Sequence, residues 1–288
     1  MKTLGRIKRG YVLIRQSISV MREHPRLGLF PVVSGVASVA FLALLVAPMF
    51  GVLAIDPGET VTLVTVGAAL FGLYLGTAFI SAFFTAGLVH QTRVVLAGEE
   101  PSLRAGLQGA WDVKGPLFAW AVVSATVGVV LDAITNSDSF VTQALAAVFG
   151  VAWTLMTFFV VPVIVFEKPS VRAMFTRSAK TFKQTFGETP IGLVGVSIVA
   201  IVAALPLLAP GAYLLFVAEM PVAGVPLLVG GLLVSQLISY TLRGIVKTSL
   251  YYYAAEGDRP AEFGDVFDEL AASADTSTPA GPTTGGSQ

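Results

Sequence analysis

The chain has 288 residues, of which 55% are hydrophobic and 12% are charged, and its mean hydropathy is +0.78. Soluble domains carry about 25% charged residues, so this composition excludes an ordinary soluble domain and predicts an all-α integral membrane protein. The formal net charge is zero, which points to no nucleic-acid partner. The chain contains no cysteine, which excludes disulfides, thiolate catalysis and thiolate metal sites.

The N-terminal segment, residues 3–23, has the pattern of an amphipathic helix. Its apolar residues recur at steps of three and four: they are Leu4, Ile7, Tyr11, Ile14, Ile18 and Met21. Arginine and lysine fill much of the remaining surface. Such a helix lies either in the membrane interface or on the protein's own inner surface, and the sequence leaves both possibilities open.

Six apolar stretches follow, each long enough to cross a hydrocarbon core of about 30 Å. We predict spans at about 29–53, 61–89, 116–131, 140–166, 190–208 and 221–242. The first is too long and too far from the start to be a cleaved signal peptide. We expect Pro206 and Pro210 to kink or end span five, and span six to continue as a helix to about Tyr253.

The basic residues predict the orientation. All 18 Lys and Arg residues precede span one, lie between spans two and three or four and five, or sit at or beyond the end of span six. The opposite connections carry only acidic charges. Under the positive-inside rule both termini are cytoplasmic, and we expect a multi-pass protein of the plasma membrane.

A short motif repeats along the chain. Glu99-Glu100-Pro101-Ser102-Leu103-Arg104-Ala105 returns as Glu167-Lys168-Pro169-Ser170-Val171-Arg172-Ala173, and a weaker copy begins at Asp258. This predicts one membrane domain, residues 1–272, made of three parallel repeats of an amphipathic helix plus a two-span hairpin. The repeat units are about 3–97, 98–166 and 167–255, followed by a terminal amphipathic helix at 260–272. Residues 273–288 have the composition of a disordered tail.

The motif itself is explained as a helix start. Proline at the first helical position costs no hydrogen bond, and the acidic residues before it favour the positive end of the helix dipole. The helices that follow carry apolar faces, which are Leu103, Leu107 and Trp111 in the second and Val171, Met174, Phe175, Phe182 and Phe186 in the third.

Polar stripes distinguish the even-numbered spans. Span two carries Tyr74, Thr77, Ser81 and Thr85, and span six carries Gln236, Tyr240, Arg243 and Lys247. Polar groups in hydrocarbon face a bundle interior or a water-filled cavity. We therefore expect spans two, four and six to be central, arranged around a pseudo-threefold axis. The stripes either pack and hydrogen-bond between helices or form a polar cluster of His90, Arg93, Glu167, Gln236, Tyr240, Arg243 and Lys247.

Enzyme motifs are absent from the sequence. The two histidines, His24 and His90, are far apart, and no His-Glu-x-x-His motif, Gly-x-Ser-x-Gly elbow or phosphate-binding glycine loop occurs. We expect no catalytic residue, no cofactor and no metal site.

With the repeat, the Gly98-Glu99-Glu100-Pro101-Ser102-Leu103 turn and the inner amphipathic helices in view, the chain resembles a group of uncharacterised prokaryotic six-span membrane proteins. These are similar to the membrane domain found beside some glycerophosphodiester phosphodiesterases. The resemblance covers about residues 1–270. It implies a membrane location and an accessory role, and it implies no catalytic residue, because catalysis in those enzymes belongs to a separate soluble barrel.

Two functions follow as hypotheses. The first is a non-catalytic membrane protein that acts as a scaffold, accessory or membrane sensor through its inner amphipathic helices. Its partners would be the lipid bilayer and a membrane protein or a second copy of the chain. The second is a small-solute permease or channel with a site between spans two, four and six. A cavity lined by Tyr74, Thr77, Gln236 and Tyr240 would favour the second.

Overall fold

The protein is an all-α integral membrane protein. The computed structural model describes residues 2–54, 58–137, 139–185 and 189–256. Within them, six helical segments are long and apolar enough to cross a membrane, and these are Pro25–Pro48, Val64–Leu96, Lys114–Thr135, Phe140–Glu167, Leu193–Phe216 and Pro221–Tyr252. The predicted terminal helix at 260–272 and the predicted tail at 273–288 lie outside the described residues.

Ten α-helices make up the described part of the chain. In chain order they are α1 (Lys2–Glu23), α2 (Leu29–Ala54), α3 (Glu59–Leu96), α4 (Leu103–Asp112), α5 (Lys114–Thr135), α6 (Phe140–Thr157), α7 (Val160–Glu167), α8 (Val171–Thr185), α9 (Thr189–Phe216) and α10 (Pro221–Glu256). A 3-10 turn, Pro25–Gly28, joins α1 to α2. Helix α3 runs seven residues past the predicted end of span two at residue 89.

The proline-containing span five is a continuous helix. Helix α9 passes through Pro206 and Pro210 and ends only at Phe216, so of the two predicted effects the end of the helix was wrong, and the kink stays a prediction. A proline in a membrane helix is tolerated because neighbouring groups and small backbone adjustments satisfy the freed carbonyls. The extra turns bring α9 alongside the start of α10, which is its principal neighbour.

Span four, in contrast, is broken between α6 and α7. The break falls at Phe158 and Phe159, one turn before Pro162, because a proline has no N–H to donate to the carbonyl four residues earlier. The backbone N–H of Phe159 donates instead to the hydroxyl of Ser178 on α8, at 3.0 Å. Ser178 is fully buried. Helix α8 therefore accepts a hydrogen bond from the backbone of the broken span.

The repeated motif begins α4 and α8, but the proline lies further from the helix than predicted. Helix α4 begins at Leu103, with Ser102 as its N-cap and Pro101 outside the helix. Helix α8 begins at Val171, so Pro169 also lies outside. The reason is that the serine carbonyl accepts the first helical bond in both copies, from Gly106 at 3.0 Å and from Met174 at 3.1 Å.

The three even-numbered spans contact one another. Helix α3 packs against α10 and against α7, and α7 also touches α10. The odd-numbered spans lie on these helices, with α2 and α5 on α3 and with α9 on α10. Where α3 meets α10, Ser81 and Thr85 of the α3 stripe contact Tyr240 of the α10 stripe.

Helices α1, α4 and α8, which the sequence predicts to be amphipathic, pack on the bundle. Helix α1 lies against α9 and α10, with the side chain of Ile14 filling the space where Gly195 of α9 has no Cβ. Helix α4 buries Gly106 and Ala110 against α3, and α8 buries Met174. In the second half of α1, Leu13, Ile14 and Val20 are therefore buried against the protein's own helices rather than left free for the membrane interface.

Candidate functional site

A cavity of about 380 Å³ lies between α3 and α10. Its wall on α3 consists of two hydroxyl residues one helical turn apart, Ser81 and Thr85. The opposite wall belongs to α10 and consists of Gln236, Ser239, Tyr240, Arg243, Gly244 and Lys247. Most of this lining is polar or charged, although both helices are membrane-spanning by length and composition.

The helical period explains why the polar residues of α10 share one wall. Residues 236, 240, 243 and 247 follow steps of four, three and four, which keeps them on one face. Gly244 lies on this face as well, and a Cβ atom there would come within 2.3 Å of Leu88 on α3. The glycine thus lets the two helices approach closely beside the cavity.

Tyr240 joins the two walls. Its phenolic hydroxyl lies 2.6 Å from the hydroxyl of Thr85, and it donates a hydrogen bond to the backbone carbonyl of Ser81 at 3.2 Å. These contacts connect residues 155 and 159 positions apart in the chain. Hydrogen bonds between membrane helices contribute about 0.6 kcal/mol on average. Tyr240 therefore contributes more to the relative position of α3 and α10 than to the stability of the fold.

Arg243 and Lys247 supply the charge of the cavity. The guanidinium of Arg243 donates to the hydroxyl of Ser197 on α9 at 3.3 Å. The ammonium of Lys247 lies 4.2 Å from the centre of the Phe158 ring, at the break in span four. No carboxylate of the described residues forms an ion pair with either cation. The cavity is therefore cationic.

The other predicted members of the polar cluster lie elsewhere. The ring of His90 packs at Gly109 of α4, where a Cβ atom would approach it to 2.5 Å. The guanidinium of Arg93 lies 4.8 Å from the centre of the Phe166 ring. The carboxylate of Glu167 pairs with Arg177 and accepts a hydrogen bond from the buried Tyr251 hydroxyl. The structure thus brings Gln236, Tyr240, Arg243 and Lys247 together and places the other three outside the cavity.

The first two residues of the span-two stripe, Tyr74 and Thr77, also lie outside the cavity. Tyr74 packs over Gly128 of α5, with 2.9 Å between its ring and the position of an added Cβ. Thr77 donates to the carbonyl of Leu73 on its own helix at 2.6 Å. Of the four residues whose shared cavity would favour a permease, the cavity contains Gln236 and Tyr240 but neither Tyr74 nor Thr77, and its α3 wall lies one to two turns further along, at Ser81 and Thr85.

An apolar groove of about 710 Å³ adjoins the cavity between α2 and α10. It shares Gln236 and Tyr240 with the cavity. The rest of its lining is mainly small or aliphatic: Pro31, Val32, Ser34, Gly35, Val36, Ser38, Val39, Ala40, Leu233 and Leu237. Sequence reasoning missed this groove, although the small residues Ser34, Gly35 and Ser38 form a recognisable face on α2.

The site has no arrangement suited to a metal ion. Among the residues that the structure describes, no group of three His, Asp or Glu side chains could hold one. The cavity instead offers hydroxyl groups, a side-chain amide and two cations. Donors of this kind bind oxyanions such as phosphate or carboxylate.

The profile of one protein family matches the chain over residues 64–261, and it is described as a family of unknown function (DUF6159). The chain belongs to this family. The matched range includes every lining residue of the cavity, whereas the α2 wall of the groove precedes it. No curated protein and no solved structure matches the chain.

Proposed function

We propose that this protein is a non-catalytic membrane protein that binds a small anionic group in the cavity between α3 and α10, as a permease or carrier would. The single observation that supports this function is the pair Arg243 and Lys247. Both cations line one polar, partly open cavity, without an ion pair to a described carboxylate.

The physical argument concerns charge compensation. Like charges four residues apart on a helix repel each other, and ionisable residues inside membrane spans face cavities and mark ligand pathways. The cavity's volume also falls within the range of about 300–1,000 Å³ typical of small-molecule sites. An anion in the cavity would relieve the repulsion between Arg243 and Lys247.

The orientation supports the same proposal. The positive-inside rule places both termini, α1, α4 and α8 in the cytoplasm. The cations of the cavity then lie towards the cytoplasmic end of α10, and the plasma membrane is the location we propose. A carrier with this site would take up or release its anion at the cytoplasmic face.

A scaffold or accessory function is the second candidate, and Trp111 on α4 favours it. Its side chain is 58% exposed and borders a groove of about 660 Å³ that also includes Leu103, Leu107 and Phe83. An exposed aromatic residue beside an apolar groove is typical of protein interfaces. The partner would be another membrane protein or a second copy of the chain, and the resemblance to the membrane domain beside glycerophosphodiester phosphodiesterases belongs to this proposal.

Anion binding can be tested with the purified protein in a neutral detergent. Inorganic phosphate, sulfate and acetate are titrated, and the unfolding temperature is measured. Ligand at a hundred times its Kd stabilises the native state by about 2.7 kcal/mol, so we expect a saturable increase with at least one anion. The double variant Arg243→Gln with Lys247→Gln should lose this increase.

The matched control removes two cations outside the cavity, with Arg22→Gln and Arg172→Gln. Both side chains belong to exposed residues on the inner helices, so this double variant has the same net charge as the cavity variant. It should retain the saturable response. Equal responses in the two double variants, or no response of the wild type to any of the three anions, would contradict anion binding in the cavity.

The scaffold is tested by replacing Trp111 with a photo-crosslinking amino acid in whole cells. The control places the crosslinker at exposed Phe140, on the opposite side of the membrane. A defined partner that crosslinks to position 111 but not to position 140 would support the scaffold function. Crosslinking only to lipid at both positions would contradict it.

A further inference from the structure

The cavity and the apolar groove adjoin each other, and together they give the site a cationic end and an apolar end. Gln236 and Tyr240 belong to both linings. On one side of these residues lie Arg243 and Lys247. On the other side the groove continues between α2 and α10 and has an almost entirely apolar lining.

The two ends are arranged along the membrane normal. From Leu233 to Tyr240 the groove follows α10 for about 10 Å, since a helix rises 1.5 Å per residue. Arg243 and Lys247 lie one and two turns further towards the basic end of the bundle. The cations therefore lie nearer the membrane surface and the groove nearer the membrane centre.

We propose that the ligand is an anionic diacyl phospholipid from the leaflet at the basic end of the bundle. Its phosphate would lie at Arg243 and Lys247, and one acyl chain would occupy the groove between α2 and α10. This inference rests on the proposed function, because it identifies the anion that the cavity binds.

The complementarity of charge and polarity favours a lipid over a soluble anion. A phosphate with an attached hydrocarbon chain matches both the cationic cavity and the apolar groove, whereas a soluble anion would leave the groove unoccupied. Basic pockets between membrane helices on the cytoplasmic side are recurrent sites for anionic headgroups. The groove opens between neighbouring spans, so a lipid can enter sideways from the bilayer without crossing the aqueous phase.

The residues at the junction are suited to a lipid's interfacial region. Gln236 carries an amide, and Tyr240 lines both the groove and the cavity, with its hydroxyl 2.6 Å from that of Thr85. Ester carbonyls lie between the phosphate and the acyl chains of a phospholipid. A side-chain amide can donate hydrogen bonds to such carbonyls.

The test compares lipids in nanodiscs made of phosphatidylcholine. Dioleoyl phosphatidylglycerol is added in increasing amounts, and bound lipid is counted by native mass spectrometry after release from the nanodisc. Glycerol phosphate, which carries the headgroup charge without acyl chains, is the second arm. We expect retention of phosphatidylglycerol over phosphatidylcholine, with about a tenfold or greater loss of that preference in Arg243→Gln with Lys247→Gln.

The groove is tested separately with Gly35→Phe. Gly35 lines the groove, and a Cβ atom there meets no atom within 4 Å, so the added ring can occupy the groove without a clash at its base. Gly67→Phe on α3 is the matched control, because Gly67 is equally open but lies in neither lining. Ser38→Trp is a second blocking variant in case Gly35→Phe does not fold. Circular dichroism and gel filtration establish folding.

The outcomes separate the two proposals. The lipid proposal would be supported if a folded groove variant no longer retains phosphatidylglycerol but still binds glycerol phosphate. The Gly67→Phe control should retain phosphatidylglycerol as the wild type does. Equal retention of phosphatidylcholine and phosphatidylglycerol, or undiminished retention in both folded groove variants, would overturn it. Glycerol phosphate binding without any retained lipid would overturn the lipid and leave the anion site intact. Failure of both ligands would refute the anion site as well.

Discussion

The hydroxyl of Tyr240 lies 2.6 Å from the hydroxyl of Thr85, and this contact joins the last membrane span to the second. The two residues flank the cavity that contains Arg243 and Lys247. Helices α3 and α10 also both touch α7, so the contact joins two of three mutually packed spans. Several consequences of this arrangement can be measured.

The energetic role of the contact between Tyr240 on α10 and Thr85 on α3 can be tested with a double-mutant cycle. Tyr240→Phe removes the phenolic hydroxyl, and Thr85→Val removes its neighbour. We expect a coupling free energy of about 0.5–1.5 kcal/mol between the two changes, as for other hydrogen bonds between membrane helices. Reversible unfolding in detergent provides the free energies. Thr126→Val is the control, because the hydroxyl of Thr126 donates only to its own helix, at the carbonyl of Val122. If the effects of Tyr240→Phe and Thr85→Val are additive, the contact between the two hydroxyls has no energetic role.

Glu167 should stabilise the fold through two contacts that contribute different amounts to the free energy of unfolding. Glu167→Gln removes the ion pair with Arg177, which is half-exposed and worth about 0–1 kcal/mol. The glutamine still offers an oxygen to the hydroxyl of Tyr251, which is buried. Glu167→Leu removes that acceptor too, and we expect a further loss of about 1–3 kcal/mol of unfolding free energy.

Thermal unfolding of the two variants in detergent gives the comparison. Glu99 occupies the corresponding place in the first copy of the motif and is exposed, so Glu99→Leu is the control and should change stability little. A Glu167→Gln variant as unstable as Glu167→Leu would assign the whole effect to the ion pair instead.

Gly224, where α10 approaches α9, is predicted to tolerate no side chain. A Cβ atom at Gly224 would lie 2.7 Å from the backbone nitrogen of Leu215 and 3.0 Å from the carbonyl oxygen of Gly211. Backbone atoms cannot move aside as a side-chain end can, so Gly224→Ala should cost about 1–3 kcal/mol.

Gly230→Ala on the same helix is the matched control. Its Cβ would meet no atom within 4 Å, and alanine is the better helix former by about 1 kcal/mol. Its unfolding temperature should be unchanged or raised. If both variants unfold at the same temperature, the close approach of α9 and α10 is not required for stability.

The orientation can be determined by cysteine labelling, because the chain has no native cysteine. Glu99→Cys, after α3, and Asn136→Cys, after α5, introduce single thiols at exposed residues at opposite ends of the bundle. The positive-inside rule predicts that a membrane-impermeant maleimide labels Asn136→Cys in intact cells and Glu99→Cys only after permeabilisation. The reverse pattern would place the basic end outside.

The composition and the 3.6-residue period were enough to predict the helical membrane fold, because a chain in lipid must satisfy its backbone within helices. Individual ends were harder to predict. Helix α9 continues past Pro206 and Pro210, whereas span four breaks before Pro162. A proline's effect depends on which neighbour can satisfy the freed groups, and Ser178 of α8, the partner of Phe159, is 19 residues away in sequence.

Part of the candidate site was also predictable. The spacing of Gln236, Tyr240, Arg243 and Lys247 placed them on one face of one helix, and the structure puts all four in the cavity lining. His90, Arg93 and Glu167 come from other helix faces and other spans. Their depth could be estimated from sequence, but their direction depends on how α3 and α7 are rotated in the bundle. The threefold arrangement of the parallel repeats stays a prediction.

The distribution of the cavity lining between helices has a consequence for biogenesis. Ser81 and Thr85 on α3 emerge early in synthesis, whereas the other six lining residues all belong to α10, the last helix of the described chain. Until α10 inserts beside α3, the nascent protein has only an uncharged hydroxyl face at this position. The site is therefore completed in a single late step, and a chain truncated before α10 would keep five membrane spans but none of the cationic wall.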